Sequence, residues 1–137
     1  MKDYKEYTIL DAKGATGVGK NIDCRDFQHA ILFFATDGGG DAALTVKFQG
    51  SIGIGLADIT APDFSAAQTV TNMWDYIEVV DLQNGTAIDG DTGVAVATAD
   101  DYRIFELNIN GLVWLNARVT ARTQGEVTVK VLLFNNY

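Results

Sequence analysis

The clearest pattern in the chain lies in residues 102–134, where three runs of alternating apolar and polar residues are separated by two short turns, each ending in glycine. In the first run Phe105 and Leu107 alternate with Glu106 and Asn108. Val113, Leu115, Ala117, Val119 and Ala121 are the apolar half of the second, and Val127, Val129, Val131 and Leu133 that of the third. Side chains along a strand point alternately to opposite faces, so this period of two assigns each set to one side. The pattern predicts a three-strand antiparallel meander on which the rest of the chain is built.

The two turns predict a register. Asn110-Gly111 suits a two-residue hairpin loop, but that loop would oppose Leu107 to Trp114 and mix the faces. A three-residue loop with a left-handed Gly111 opposes Leu107 to Val113 and Phe105 to Leu115. A slip of one residue reverses every side chain, so face matching selects the longer loop. Thr123-Gln124-Gly125 repeats the device, setting Ala121 against Val127, Val119 against Val129, Ala117 against Val131 and Leu115 against Leu133. The reverse face then carries Arg118, Thr120, Arg122, Glu126, Thr128 and Lys130 near Gly125, a solvated surface. Near Gly111 it carries Trp114 beside Phe134, with Leu112, Leu132 and Ile104. Two readings of that apolar patch stand: another segment of the chain covers it, or it is a subunit or partner interface.

Elsewhere residues 4–10 alternate loosely and predict a first strand, followed by a loop over 12–19; residues 1–20 form an N-terminal arm or an edge strand. Ala30, Ile31, Leu32, Phe33 and Phe34 make an unbroken apolar run, as in a strand buried on both faces. Residues 43–49 alternate, with Leu44, Val46 and Phe48 inward, and the glycines of 50–55 suit a bulged or bent continuation. Residues 57–73 read as a long connection with at most one short helix, a contact candidate. Residues 74–82 form a further strand, Asn84-Gly85 a turn, 86–89 a return strand and 94–98 another. Eight to ten short strands at even spacing predict an all-β chain, a single-domain antiparallel β-sandwich over residues 1–137, jelly-roll-like, with little or no helix.

Composition narrows the partners. A chain of 137 residues, 47% hydrophobic, is large enough for one core without disulfide or metal. Its net charge is −8, and no Lys or Arg falls between Lys47 and Arg103, so nucleic acid is not an expected partner. Cys24 is the single cysteine, which excludes an internal disulfide framework. The first ten residues are charged and carry no signal-peptide core, and no run is long enough to span a membrane, so synthesis in a cytoplasm without export or a membrane partner is the expectation.

Little of the sequence points to chemistry. His29 is the one histidine, so no site of several histidines exists within the chain. A Cys24–His29 nucleophile pair lacks an orienting acid with a defined position, and the expected role of both is structural. The glycines of 14–19 are followed by no helical period, which removes a phosphate loop, and no Gly-x-Ser-x-Gly elbow or Cys-x-x-Cys pair occurs. The best metal candidate is Asp89-Gly90-Asp91-Thr92-Gly93, whose Asp89 and Asp91 resemble the opening of a calcium loop. Two carboxylates supply too few oxygens unless Asp100 or Asp101 joins them, and a turn held by Asp side chains explains the same residues. Carboxylates suited to glycosidase chemistry are plentiful, but their separation in space decides that chemistry. Trp74, Tyr76 and Trp114 offer rings for sugar stacking, against the commoner use of such rings in a core or interface. No enzyme, resident metal or cofactor is therefore expected.

Several phrases are similar to those of small β-sandwich structural proteins of tailed bacteriophages. They are Val46-Lys47-Phe48-Gln49-Gly50-Ser51, Pro62-Asp63-Phe64-Ser65, Trp74-Asp75-Tyr76-Ile77, Ile88-Asp89-Gly90-Asp91-Thr92-Gly93, and Asn110-Gly111-Leu112 before Trp114. The resemblance spans residues 21–134 and is one of phrasing and order. It implies a non-enzymatic virion protein, such as a capsid decoration or auxiliary protein, that forms homo-oligomers and binds the phage particle. The competing class is a carbohydrate- or receptor-binding module, calcium-assisted or not.

Overall fold

The structure is a computed structural model that describes residues 3–53 and 73–135. The predicted connection over 57–73, apart from Met73, the end of the 50–55 segment and the Pro62-Asp63-Phe64-Ser65 phrase lie outside the described residues. Among the described residues there are twelve strands and no helix. They are β1 (Tyr4–Lys13), β2 (Gly17–Val18), β3 (Ile22–Asp23), β4 (His29–Asp37), β5 (Ala43–Ser51), β6 (Trp74–Tyr76), β7 (Val79–Asp81), β8 (Thr86–Ile88), β9 (Val94–Val96), β10 (Tyr102–Asn108), β11 (Trp114–Gln124) and β12 (Glu126–Phe134). All pair antiparallel, in two sheets. The first runs β1-β12-β4-β10-β7-β8; the second runs β2-β11-β5-β6, with β3 added to β11 and β9 to β5. The chain is an all-β sandwich, as its pattern predicts.

The predicted meander is not formed. β10 pairs with β4 and β7, β11 with β5, β2 and β3, and β12 with β1 and β4. The three successive strands therefore pass from first sheet to second and back, a crossing of layers that jelly rolls share. The turn glycines behave as expected, Gly111 at φ +85° and Gly125 at φ +86°, yet each turn arches between layers rather than closing a hairpin. The inward set is nevertheless right except at its ends: Val113 is buried in a separate cluster with Trp74 and Trp114, and Ala121 is exposed, past a register shift between Val119 and Ala121. Phe105, Leu107, Leu115, Ala117, Val119, Val127, Val129, Val131 and Leu133 are buried in the core. They meet across the sandwich instead of side by side. A period of two specifies which face a residue occupies, and an interior shared by two layers accepts that face from either.

The core is pinned where the layers meet. Phe105 of the first sheet packs edge-to-face on Phe34 at 5.9 Å between centroids, and lies 6.2 Å from Phe48 of the second. Each ring stabilises the fold by on the order of 2–3 kcal/mol on leaving water. The expected strand over 74–82 is broken in two. Ile77 donates its N–H to the Phe48 carbonyl at 2.8 Å, and the chain steps from β6 in the second sheet to β7 in the first. The Asn84-Gly85 hairpin forms as its residues predict, with Gly85 at φ +74° and Thr86 N–H donating to Asn84 Oδ1. The predicted loop over 12–19 instead continues β1 to Lys13 and contains β2, and β1 is the edge strand of the first sheet.

Candidate docking face

The ladders place the outward residues of the first sheet in rows. One row crosses Tyr4, Phe134, His29 and Asn108; the next Glu6, Leu132, Ile31, Glu106 and Val80; the third Thr8, Lys130, Phe33 and Ile104, to which Leu82 is joined by its N–H on the Ile104 carbonyl at 3.0 Å. A fourth holds Thr128, Ala35 and Tyr102. Five large side chains on this face are open to solvent: Tyr4 (60% exposed), Phe33 (42%), Leu82 (48%), Tyr102 (70%) and Ile104 (49%). The 30–34 run expected to be buried on both faces is thus buried on one. Ala30, Leu32 and Phe34 enter the core, while Ile31 and Phe33 look outward.

Phe33 and Tyr102 stack at 6.5 Å between ring centroids, and with Leu82, Gln83, Arg103 and Ile104 they line a shallow depression of about 410 Å³. Arg103 at its edge is neutralised, its Nε donating to Asp101 Oδ2 at 2.7 Å and its Nη1 lying 4.0 Å from Asp81. Along the rows from His29 to Ala35 the charged residues are Glu6, Glu106 and Lys130, so the face is close to neutral on an acidic molecule.

The expected single patch of Trp114, Phe134, Leu112, Leu132 and Ile104 is divided. Ile104, Leu132 and Phe134 share the face just described. Trp114 belongs to the second sheet and is buried (3% exposed) against Trp74 and Val113, with Nε1 donating to the Gly53 carbonyl at 3.3 Å. Leu112 packs on the core. Because β11 and β12 lie in different layers, Trp114 and Phe134 stand on opposite sides of the sandwich; the stacking partner of Phe134 is His29, 5.1 Å away.

The outer side of the second sheet is closed and polar at its centre. Gln49, Ser51 and Asn116 are buried there, and the Asn116 amide donates to the Gly19 carbonyl at 3.1 Å and to Asn21, fastening the 19–21 segment across β11. The guanidinium of Arg25, held by Asp23, lies 5.7 Å from the Trp114 ring centroid, and Lys47 Nζ lies 4.8 Å from that of Tyr76. The ring faces that sugar stacking would use already carry cations, and Trp74 is buried.

The remaining candidates have local partners. Asp89 Oδ1 accepts from the N–H of Asp91 at 2.8 Å and of Thr92 at 3.3 Å, the turn that Asp side chains make. Asp100 accepts from Gly38 and Gly40, both at 2.8 Å, and Asp101 pairs with Arg103, so neither carboxylate turns to Asp89 and Asp91. No group of three or more metal-ligating side chains forms among the described residues. Cys24 is fully buried with Sγ 3.6 Å from the Leu112 carbonyl, and burial pushes its thiol up to about 12, which disfavours a thiolate nucleophile.

The open face was missed in sequence at Tyr4, Phe33, Leu82 and Tyr102. The available signal was the surplus of apolar residues on the polar half of the 30–34 and 102–107 alternations. Neither a protein-family model nor a curated protein matches this sequence. Two solved structures share its fold. The SPBc2 prophage-derived protein YomS superposes with a TM-score of 0.65 at 14% identity, over 96% of this chain and 92% of YomS. The PBSX exported protein XepA superposes with a TM-score of 0.68 at 12% identity over 96% of this chain, which spans only 37% of XepA; the β-sandwich is therefore one that a prophage-derived protein and an exported protein also use.

Proposed function

We propose that this chain is a non-enzymatic structural protein of a bacteriophage particle, a capsid decoration or auxiliary protein that acts by docking. The observation that carries the reading is the open apolar face of the first sheet: Phe33, Leu82, Tyr102 and Ile104 are contiguous at β4 and β10, with Tyr4 open on β1, on an otherwise acidic surface. Contiguous apolar area of that kind on a soluble domain marks a contact surface. Its frame is rigid, since β4 and β12 are paired along their full lengths and filled beneath by the core. The fold likeness to the prophage-derived YomS and to XepA supports a phage setting. The competing carbohydrate-binding reading loses the rings it was built on, since Trp74 and Trp114 are buried and Tyr76 carries Lys47.

Purified particles of the source phage, analysed by gradient sedimentation and quantitative mass spectrometry, test the proposal. The protein is expected to co-migrate with particles at a fixed copy number, and Phe33→Asp is expected to release it. Recovery of the protein only in the free fraction, or a rise in melting temperature with a defined saccharide, would reject the structural role in favour of the binding module.

A further inference from the structure

We infer that the open face of the first sheet is covered by a second copy of this chain, with Tyr4 of each copy seated in the depression formed by Phe33, Leu82, Tyr102 and Ile104 of the other. The inference rests on the reading of this face as a docking surface and adds its occupant; the dimer is then the unit that meets the particle, and Phe33→Asp releases the chain by dissolving the dimer and its two-point attachment.

Charge favours a second copy over a basic partner. Each chain carries a net charge of −8, so two copies repel over most of their surfaces. They can meet at low cost only across a face poor in acid, and the rows from His29 to Ala35 hold just Glu6, Glu106 and Lys130. A basic partner would instead select a contact lined with carboxylates. Here the acids at the edge of the hollow, Asp81 and Asp101, are held by Arg103, and Asp37 and Glu126 lie at the far end of the sheet.

The positions of ring and hollow let the face meet a second copy of itself. Tyr4, 60% exposed, stands on β1 in the Phe134 row. The hollow lies at β10 and Leu82, around the Phe33 row. Between β1 and β10 lie β12 and β4, and between the two rows lies the row of Leu132 and Ile31. The midpoint between ring and hollow is therefore the Leu132–Ile31 pair, at the apolar centre of the face. A twofold axis in the plane of contact through that pair exchanges ring and hollow, the condition for a closed isologous dimer. Tyrosine in a hydrophobic pocket is a favoured interface anchor. The five open side chains present on the order of 500 Å² of largely apolar surface. With Ile31, Leu132, Phe134 and a polar rim added, the face approaches the roughly 800 Å² per partner of a standard interface.

The test uses the full chain alone, by sedimentation velocity and light scattering from about 1 to 100 µM. The wild type is expected to have the mass of two chains. Tyr4→Asp and Ile104→Asp should each weaken dimerisation at least about tenfold while leaving far-UV circular dichroism and melting temperature near wild type, since both positions are exposed. Mixing the two variants is the decisive step. In a mixed dimer both lesions fall at one of the two Tyr4 contacts and the other is intact, so association should exceed that of either variant alone. A monomeric wild type, a dimer indifferent to both substitutions, assembly through this face beyond two copies, or a mixture no tighter than its components would each overturn the inference. Failure of the proposed function reads differently. A chain that dimerises but is absent from particles overturns the particle role and leaves this inference standing; a monomer that binds particles does the reverse.

Discussion

The two outer faces of the sandwich follow the same alternation and have opposite fates. On the second sheet the outward positions Trp74, Ser51, Gln49, Asn116 and Trp114 are all buried, their centre polar and their flank held by the 19–21 segment. On the first sheet the outward positions Tyr4, Phe33, Leu82, Tyr102 and Ile104 are apolar and stand in water. Large rings therefore do not by themselves mark a contact surface. Trp114 is the bulkier side chain and serves stability, whereas Phe33, in the run that reads as interior, faces solvent. What separates the faces is whether the chain's own segments lie across them.

Substitution should expose this difference in descending steps. Phe105→Ala removes the ring that joins both layers and is expected to cost about 4 kcal/mol, read from urea denaturation with an unchanged slope. Trp114→Ala, on the closed face, should cost about 3 kcal/mol, as a core residue would. If Trp114→Ala were nearly neutral, the closed face would be no more than an uncovered one. Gly125→Ala places a Cβ 2.8 Å from the Ala42 backbone at φ +86° and should cost about 2 kcal/mol, with the loss confined to the crossing between β11 and β12. Ile104→Ala and Phe33→Ala, on the open face, should cost less than about 1 kcal/mol in the isolated chain and show their effect in association instead. A large stability loss at Ile104 would erase the contrast between the faces.

A pH series adds the smallest effect. Burial first, and then the charge of Asp23, push the Cys24 thiol up to about 12, whereas the unfolded thiol releases its proton near its ordinary value of 9. Between those values the unfolded chain binds fewer protons than the folded one, so stability falls as pH rises above about 9 and is unaffected below it. Cys24→Ser should flatten that limb of the curve, and native Cys24 should resist iodoacetamide at pH 8 until the chain is unfolded.

How much of this was legible follows from what a period of two encodes. It identified the inward residues of β10, β11 and β12 apart from Ala121, which a register shift after Val119 turns out to solvent, because alternation reports the face. It misassigned their neighbours, because a strand that turns back within its sheet and one that crosses to the other sheet bury the same alternate residues. The left-handed conformations at Gly111 and Gly125 are common to both routes and carry no vote between them. The same ambiguity divided the candidate patch: Ile104, Leu132 and Phe134 share one face, while Trp114 and Leu112 went with β11 to the other layer. The Asn84-Gly85 hairpin was readable because its turn closes on itself, with the Gly85 N–H on the Asp81 carbonyl at 2.7 Å and the Thr86 N–H on Asn84 Oδ1.

The place of β12 between β1 and β4 also sets an order on events in the ribosome's wake. Residues 4–13 and 29–37 emerge early, yet the strand that joins them is made of residues 126–134. Until those are synthesised, the first sheet has a gap at its middle, and the Phe33 strand keeps an unsatisfied edge beside its apolar side chains. Pairings so distant along the chain are slow to close and leave such edges prone to aggregate. Folding of this layer thus waits for residues 126–134, and truncation before Glu126 should yield insoluble product rather than a smaller sandwich.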